Sequence, residues 1–445
     1  MKIAALRPDQ ASPPGIDHRI SIFEGDLGAL ANSSGQAGVS VANELFSWAG
    51  RSPATKAWDF TALALGVVGA DRLVNRALVS GDGWTRVIDL TVGVSDPHTW
   101  QGLSGKIEEM LSFLTGDFWN LSFVEGGYHP APPKKPVVAR PETCVALLSG
   151  GLDSLIGAID MEAVGKDVPV YVSNRVRGDV KSRQQLFPSA LGATGRVLSL
   201  NANPRTPGVP AEISQRPRSI VFIAFGLLAA TLLDRYKDNE AVDLHTPENG
   251  FISLNVPLTT ARRGSLSTRT THPRFIQMLQ NLLNELGINV RLQNRYQFKT
   301  KGVMMAECQD QQKLEELASL SMSCGRAGRT YTHCGRCLPC LVRRSSFLRW
   351  KGRLDADDTK YLHPDEALRV DGRINSEFHG KAFAEYDDVM QTLTALDYVK
   401  RYGSRKWIGP AIGSTSFGSR VDDYRKTAED GLMEIGNFLE ATGLR

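Results

Sequence analysis

The chain reads as an α/β protein: a parallel, Rossmann-like sheet with helices on both faces, a metal-binding segment, an added N-terminal α+β domain and C-terminal helices. Three observations predict it. From residue 142 onward, short apolar runs of strand length alternate with helical segments, the pattern of a parallel sheet built from βαβ units. The stretch Gly126-Gly127-Tyr128-His129-Pro130-Ala131-Pro132-Pro133-Lys134-Lys135-Pro136 admits neither regular helix nor a central strand, and marks a boundary. Four of the six cysteines fall between Cys324 and Cys340.

In chain order, the spacing predicts a strand over Arg86–Val94, an amphipathic helix over Gly102–Leu114 and a strand over Phe118–Val124. These belong to an α+β accessory domain spanning 1–125. It carries no metal-ligand cluster or phosphate loop, so its expected task is to dock a partner or cover a substrate. A linker over 126–141 follows. The central domain, 142–320, holds predicted strands at Cys144–Leu148, Val168–Val172, Arg196–Leu200 and Val242–His245. The apolar run Ile220–Leu233 is shorter than the roughly 20 residues that span a bilayer, and reads as a buried helix. A four-cysteine segment occupies 321–350, and a helical region 351–445. In that region Val421, Tyr424, Ala428, Leu432, Ile435 and Leu439 recur at helical spacing, marking one apolar face.

Composition sets limits on partners and location. With 42% hydrophobic and 22% charged residues the chain is ordinarily globular. Fifty-two basic against 48 acidic residues leave a net charge of +4, so bulk electrostatics demand no nucleic acid, and a polyanion must be held by local basic clusters. The first residues show no secretory leader pattern, and six cysteines are too few for a disulfide scaffold. The expected location is a reducing cytoplasm.

The apolar run ending at Leu148 leads directly into Ser149-Gly150-Gly151-Leu152-Asp153-Ser154, and Leu155-Ile156-Gly157-Ala158-Ile159 continues as a helix. Consecutive glycines let amides turn toward one point, the helix N-terminus adds positive potential, and the Ser149 and Ser154 hydroxyls are further donors. Such a loop suits a pyrophosphate. A carboxylate at Asp153 would repel bound phosphates unless a divalent cation lay between them, which predicts Mg²⁺ there. The plainer reading is a tight strand-to-helix turn with Asp153 or Ser154 as its cap. No Gly-x-x-x-x-Gly-Lys-Ser/Thr segment occurs, so the loop is not of the Walker type.

Cys324, Cys334, Cys337 and Cys340 form C-x9-C-x2-C-x2-C. Four thiolates at this spacing close a tetrahedral Zn²⁺ shell with no open position, a structural site, and an iron–sulfur cluster is the rival occupant. Cys144 and Cys308 stand apart as packing residues.

SGGLDS resembles the SGGxDS signature of the PP-loop ATP pyrophosphatases, whose sheet is of the adenine nucleotide α-hydrolase kind. The resemblance implies ATP cleaved between its α and β phosphates to give an adenylated substrate. With Ser323-Cys324 and Cys334-Gly335-Arg336-Cys337-Leu338-Pro339-Cys340-Leu341-Val342-Arg343 on the same chain, residues from about 143 to 350 resemble the QueC family of 7-cyano-7-deazaguanine synthases. Thr300-Lys301 resembles that family's Thr-Lys-Ala-Glu stretch, with Gly302 in place of the alanine. Arg216-Pro217-Arg218-Ser219 stands where the family has Gly-Arg-Asn-Thr, and His245-Thr246-Pro247-Glu248-Asn249-Gly250 follows its fourth strand. The N-terminal domain, the segment Gly264–Pro273 and the C-terminal helices are additions that resemble QueC-like proteins of bacterial anti-phage systems.

That resemblance implies a 7-carboxy-7-deazaguanine substrate and an acceptor amine. The amine is ammonia in the synthases and the N-terminus of a companion protein in the defence proteins. Candidate cations for the phosphates are Lys181, Arg183, Arg216, Arg218, Lys301 and Arg343, with Arg218 and Lys301 preferred. Asp153 and Ser154 complete the expected catalytic set, and adenine is expected near Val172-Ser173-Asn174, at the carboxyl edge of the sheet. A tRNA thiolation enzyme and a non-catalytic nucleotide-binding scaffold are the other function classes this sequence admits.

Overall fold

Hydrophobic residues at alternate positions of short strands build two sheets that share one core. The computed structural model describes residues 1–25, 34–130, 134, 136–175, 180–206, 208, 212, 216–259, 269–325, 332–362, 369–370, 373–374, 388–412 and 418–443. The first sheet contains β1 (Lys2–Leu6), β2 (His18–Ile22), β3 (Ser34–Ala37), β4 (Val87–Val94) and β5 (Phe118–Glu125), ordered β3-β2-β1-β4-β5. The second contains β6 (Cys144–Leu147), β7 (Pro169–Asn174), β8 (Val197–Leu200), β9 (Val242–His245) and β10 (Val290–Gln293), ordered β10-β9-β6-β7-β8. Every pairing in both sheets is parallel. Read from the edge, each sheet runs third-second-first-fourth-fifth, the doubly wound order in which ligands bind beyond the carboxyl ends, between the first and fourth strands.

The N-terminal unit is therefore α/β, not the α+β unit expected. Two strands and an intervening helix look alike in both classes. The parallel order is set by β1–β3, three strands of four or five residues that offer little periodicity to read. The helix Thr55–Leu73 also escapes periodicity analysis. Its apolar residues surround the whole axis and fifteen of its residues are buried, as befits a helix enclosed on all sides.

That helix packs against the helix Arg218–Ala230, which covers β6, β7 and β9. The resulting core joins Ile3, Ile20 and Leu90 of the first sheet to Val145, Val170 and Leu244 of the second. The Gly/Pro stretch thus divides two sheets in sequence without dividing the core. On the other face of the second sheet, Cys144, Ala146 and Tyr171 pack with Leu155, Ile156 and Ile159 of the helix Leu152–Val164. Consecutive residues of β6 feed opposite cores, which is why its whole sequence is apolar. The C-terminal stripe buries Tyr424, Ala428, Leu432, Ile435 and Leu439 with Phe251 and Leu341 in a further cluster. Among the described residues no helix is long and apolar enough to cross a membrane.

Candidate functional site

Strand β6 delivers its chain to the carboxyl edge, where Leu148 donates its amide to Val172 O at 2.8 Å. The turn that follows needs glycine: Gly150 has φ +85°, and its carbonyl accepts the Met322 amide at 2.9 Å. Gly151 precedes the helix Leu152–Val164 with no side-chain cap, which leaves first-turn amides for an outside acceptor. The two serines hydrogen-bond within the turn. Ser154 Oγ lies 3.0 Å from Gly151 O as its donor, Ser149 Oγ accepts from the Gly151 amide at 3.2 Å, and the two hydroxyl oxygens are 3.1 Å apart. These hydroxyls brace the tight strand-to-helix turn of the plainer reading, but neither Asp153 nor Ser154 caps the helix, since Gly151 holds the N-cap position without a side-chain bond.

Asp153 points instead into a polar cluster at the junction of the first and fourth strands of the sheet. Lys301 Nζ lies 3.1 Å from its Oδ1, with side-chain exposures of 6% and 7%. Asn249 donates from Nδ2 at 2.7 Å and from its backbone at 3.3 Å to Oδ2. Burial alone would raise the Asp153 pKa, but the lysine charge and hydrogen bonds from Glu248 and Asn249 hold it below the ordinary value. Burial and the Asp153 charge push the Glu248 carboxyl well above its usual range. Glu248 therefore carries the proton of this carboxylate pair, and Asp153 the charge.

Local sequence explains the convergence. Asn249 caps the helix Gly250–Leu254 through Oδ1 while its amide reaches Asp153. Thr300 caps the helix Lys301–Ala306, so Lys301 occupies its first turn. Glu434, on the C-terminal helix Val421–Ala441, accepts from Thr300 Oγ1 and from the Gly302 amide. A Cβ at Gly302 would lie 2.6 Å from Arg349 Cγ and 2.8 Å from Glu434 Oε1, so glycine leaves room for the C-terminal helix to hold the lysine-bearing turn. Burial drives the Glu434 pKa up to about 7. Glu248, Asn249 and Glu434 were not individual sequence candidates. The first two stood in the loop after the fourth strand, whereas nothing in sequence marks Glu434.

Of the other expected cations, Arg343 is fully buried and binds Ser321 Oγ and Ala318 O, each at 2.7 Å. Arg216 donates to Thr115 O and lies 4.2 Å from the Trp84 ring centre. Both are committed to packing, because each guanidinium found its partners inside the fold. Arg218 opens its helix as an exposed residue, and no hydrogen bond or ion pair among the described residues joins it to Asp153. The side chains of Lys181 and Arg183 and the first half of the Gly264–Pro273 segment, residues 264–268, lie outside the described residues. In β7, Val172 and Ser173 are buried beside the loop; Ser173 Oγ donates to Leu148 O at 2.8 Å, and Asn174 O accepts from Gln184.

The four cysteines converge as their spacing predicts. Their sulfurs all lie within 4.8 Å of one another, with Cys324 Sγ to Cys337 Sγ at 3.8 Å and Cys334 Sγ to Cys340 Sγ at 3.9 Å. A tetrahedral zinc with Zn–S bonds of about 2.3 Å requires sulfurs about 3.8 Å apart. Backbone amides of Arg336 and Cys337 reach Cys334 Sγ at 3.5 and 3.3 Å, the donors a thiolate needs. Cys324 stands two residues beyond Met322, whose amide holds Gly150, so the metal-ligand segment also buttresses the glycine turn. No protein-family model, curated protein or solved structure matches this chain in the comparisons made.

Proposed function

We propose that the chain is a QueC-like ATP-dependent enzyme of the PP-loop kind, nearest in character to anti-phage proteins such as QatC. It activates the carboxylate of 7-carboxy-7-deazaguanine with ATP and passes the acyl group to an amine, the N-terminus of a companion protein. The observation that carries this reading is Asp153: an ionised carboxylate at the strand junction, one residue into a helix whose first-turn amides lack a cap.

The donor set fits a divalent cation. Asp153 and Glu248 supply hard oxygen ligands, and loss of the Glu248 proton would balance part of the incoming charge. Mg²⁺ bound there would screen phosphate charge next to the carboxylates. Lys301, now paired with Asp153, is the cation placed to turn toward the α-phosphate, while Asn249 keeps Asp153 oriented. The glycine turn offers backbone donors to the leaving pyrophosphate. In the balanced reaction, a substrate carboxylate oxygen bonds to the α-phosphorus as the bond to the bridging oxygen breaks, releasing pyrophosphate. The acceptor nitrogen then bonds to the acyl carbon, the carbon–oxygen bond to AMP breaks, and the amine loses one proton. Zinc in the four-cysteine shell has a structural part, holding the segment that carries Met322.

The test is to incubate the protein with ATP, Mg²⁺ and 7-carboxy-7-deazaguanine, with and without candidate partners, and to identify every product by mass. AMP and pyrophosphate with a partner gaining mass at its N-terminus supports the reading. A nitrile formed from ammonia with the partner unchanged makes the chain a 7-cyano-7-deazaguanine synthase. ADP as product overturns the adenylation chemistry, and nucleotide binding without turnover leaves a scaffold.

A further inference from the structure

We propose that the free edge of β8 is a docking groove for an extended polypeptide, which joins the second sheet as an added strand. β8 ends the order β10-β9-β6-β7-β8 and among the described residues pairs only with β7, the first sheet reaching the chain just beyond it, where Ala202 O accepts the Gly38 amide and Arg205 pairs with Gln36. The Arg175 amide donates to Leu200 O, which fixes the ladder: the backbone groups of Leu198 and Leu200 face β7, and those of Val197 and Ser199 face away. Val197 and Ser199 line a cavity of about 790 Å³, walled on one side by the helix Val41–Ala49 and on the other by the helix Val180–Ala190. Edge strands are usually blunted by lysine, proline or a covering element. Val197-Leu198-Ser199-Leu200 contains neither residue.

The chemistry of the walls selects the occupant. Hydroxyl and amide side chains predominate, among them Asn43, Ser47, Gln184 and Gln185, and the carboxylate of Glu44 is already paired with Arg175. Among the described residues the lining holds no free charge to recruit a polyanion, whereas the main-chain donors and acceptors of Val197 and Ser199, which face away from β7, suit a peptide backbone. Gln184 also donates to Asn174 O at 3.3 Å and approaches Ser149 O at 3.5 Å, so one side chain belongs both to the groove and to the glycine turn. The groove therefore abuts the candidate active site at the carboxyl end of the sheet. Resting on the proposed function, the direction follows: a partner whose terminal amine is the acceptor runs antiparallel to β8, its N-terminus toward Ser149.

The experiment uses the full chain without nucleotide, so that its outcome is independent of any turnover. A random octapeptide library with free amino termini is passed over the immobilised protein, and the most enriched peptide is resynthesised for fluorescence anisotropy. N-methylation at alternate amides should weaken binding at least tenfold in one register and leave the other register unchanged. Ser47→Arg, which fills the groove from an exposed helical position, should weaken it equally, as should Ser199→Pro, which removes an outward N–H while leaving the β7 ladder intact. A photo-crosslinker at the peptide N-terminus should attach near Ser149 or Gln184, not near Thr194. No enrichment, indifference to N-methylation in both registers, or full affinity in Ser47→Arg overturns the groove. Ser47→Arg abolishing binding of 7-carboxy-7-deazaguanine while no peptide binds also overturns it, in favour of a small-molecule site. Crosslinking at Thr194 overturns the direction. In a separate assay with ATP, Mg²⁺ and 7-carboxy-7-deazaguanine added, peptide binding without pyrophosphate release would sink the proposed reaction and leave the groove standing.

Discussion

Replacing Lys301 with methionine should be among the costliest single changes in the second sheet. The ammonium sits 3.1 Å from Asp153 with both side chains nearly inaccessible, so the substitution leaves a carboxylate in a space that water cannot fill. Removing one partner of a buried pair costs about 3–5 kcal/mol, several times the 0–1 kcal/mol of an exposed pair. Asn249 still donates to Asp153, which places the expected loss toward the lower end of that range. Asp153→Asn alone strands the ammonium and should cost a similar amount. The double variant removes both charges and should recover at least about 1.5 kcal/mol relative to the sum of the singles, the coupling expected of contacting residues. The assay is hydrogen exchange of β6 and β9 amides as a function of urea, which reads opening of this sheet specifically. Additive losses, or a Lys301→Met cost under about 1 kcal/mol, would refute the buried pair and with it the ionised state assigned to Asp153.

The purified protein should carry one zinc per chain and be colourless; stoichiometric iron with visible absorption would contradict the tetrahedral reading of the sulfur positions. Chelation should raise exchange of the Met322 amide, because that N–H donates to the Gly150 carbonyl beside the metal-ligand segment. Gly302→Ala should destabilise by about 1–3 kcal/mol through overpacking against Arg349 and Glu434, measured by urea denaturation, and wild-type stability would show that the C-terminal helix yields freely. Glu434 supplies a pH test. Its folded pKa of about 7 exceeds the ordinary 4.5, so its contribution is present below pH 4.5 and is lost as pH rises through 7. Melting of the C-terminal helix should therefore occur at lower temperature at pH 8 than at pH 5, and Glu434→Gln should flatten that difference.

The sequence alone located β6 through β9 to within one residue at each end, except the carboxyl end of β7, which lies two residues further on. It also brought out the glycine turn, the Thr300-Lys301 boundary and the four cysteines. These are local signals: an apolar run bounded by glycine, a capping residue before a helix, thiols at fixed short intervals. β10 escaped notice because Val290-Arg291-Leu292-Gln293 is four residues long and its alternation is no stronger than that of many loops. The helix Thr55–Leu73 escaped because a helix buried on every side has no stripe to detect.

What only the tertiary structure decided is where charges end up. Arg216, Arg343 and Lys301 are equally cationic in a sequence, yet folding spends the first on Thr115 and Trp84, the second on Ser321 and Ala318, and sets the third against Asp153. Glu434 lies 133 residues beyond Lys301 and still holds its turn, because the C-terminal helix packs there. Which element lies beside which carboxylate depends on contacts between residues far apart in the chain. Local propensity carries no record of those contacts, and the low polarity they create turns a residue's position into its ionisation state.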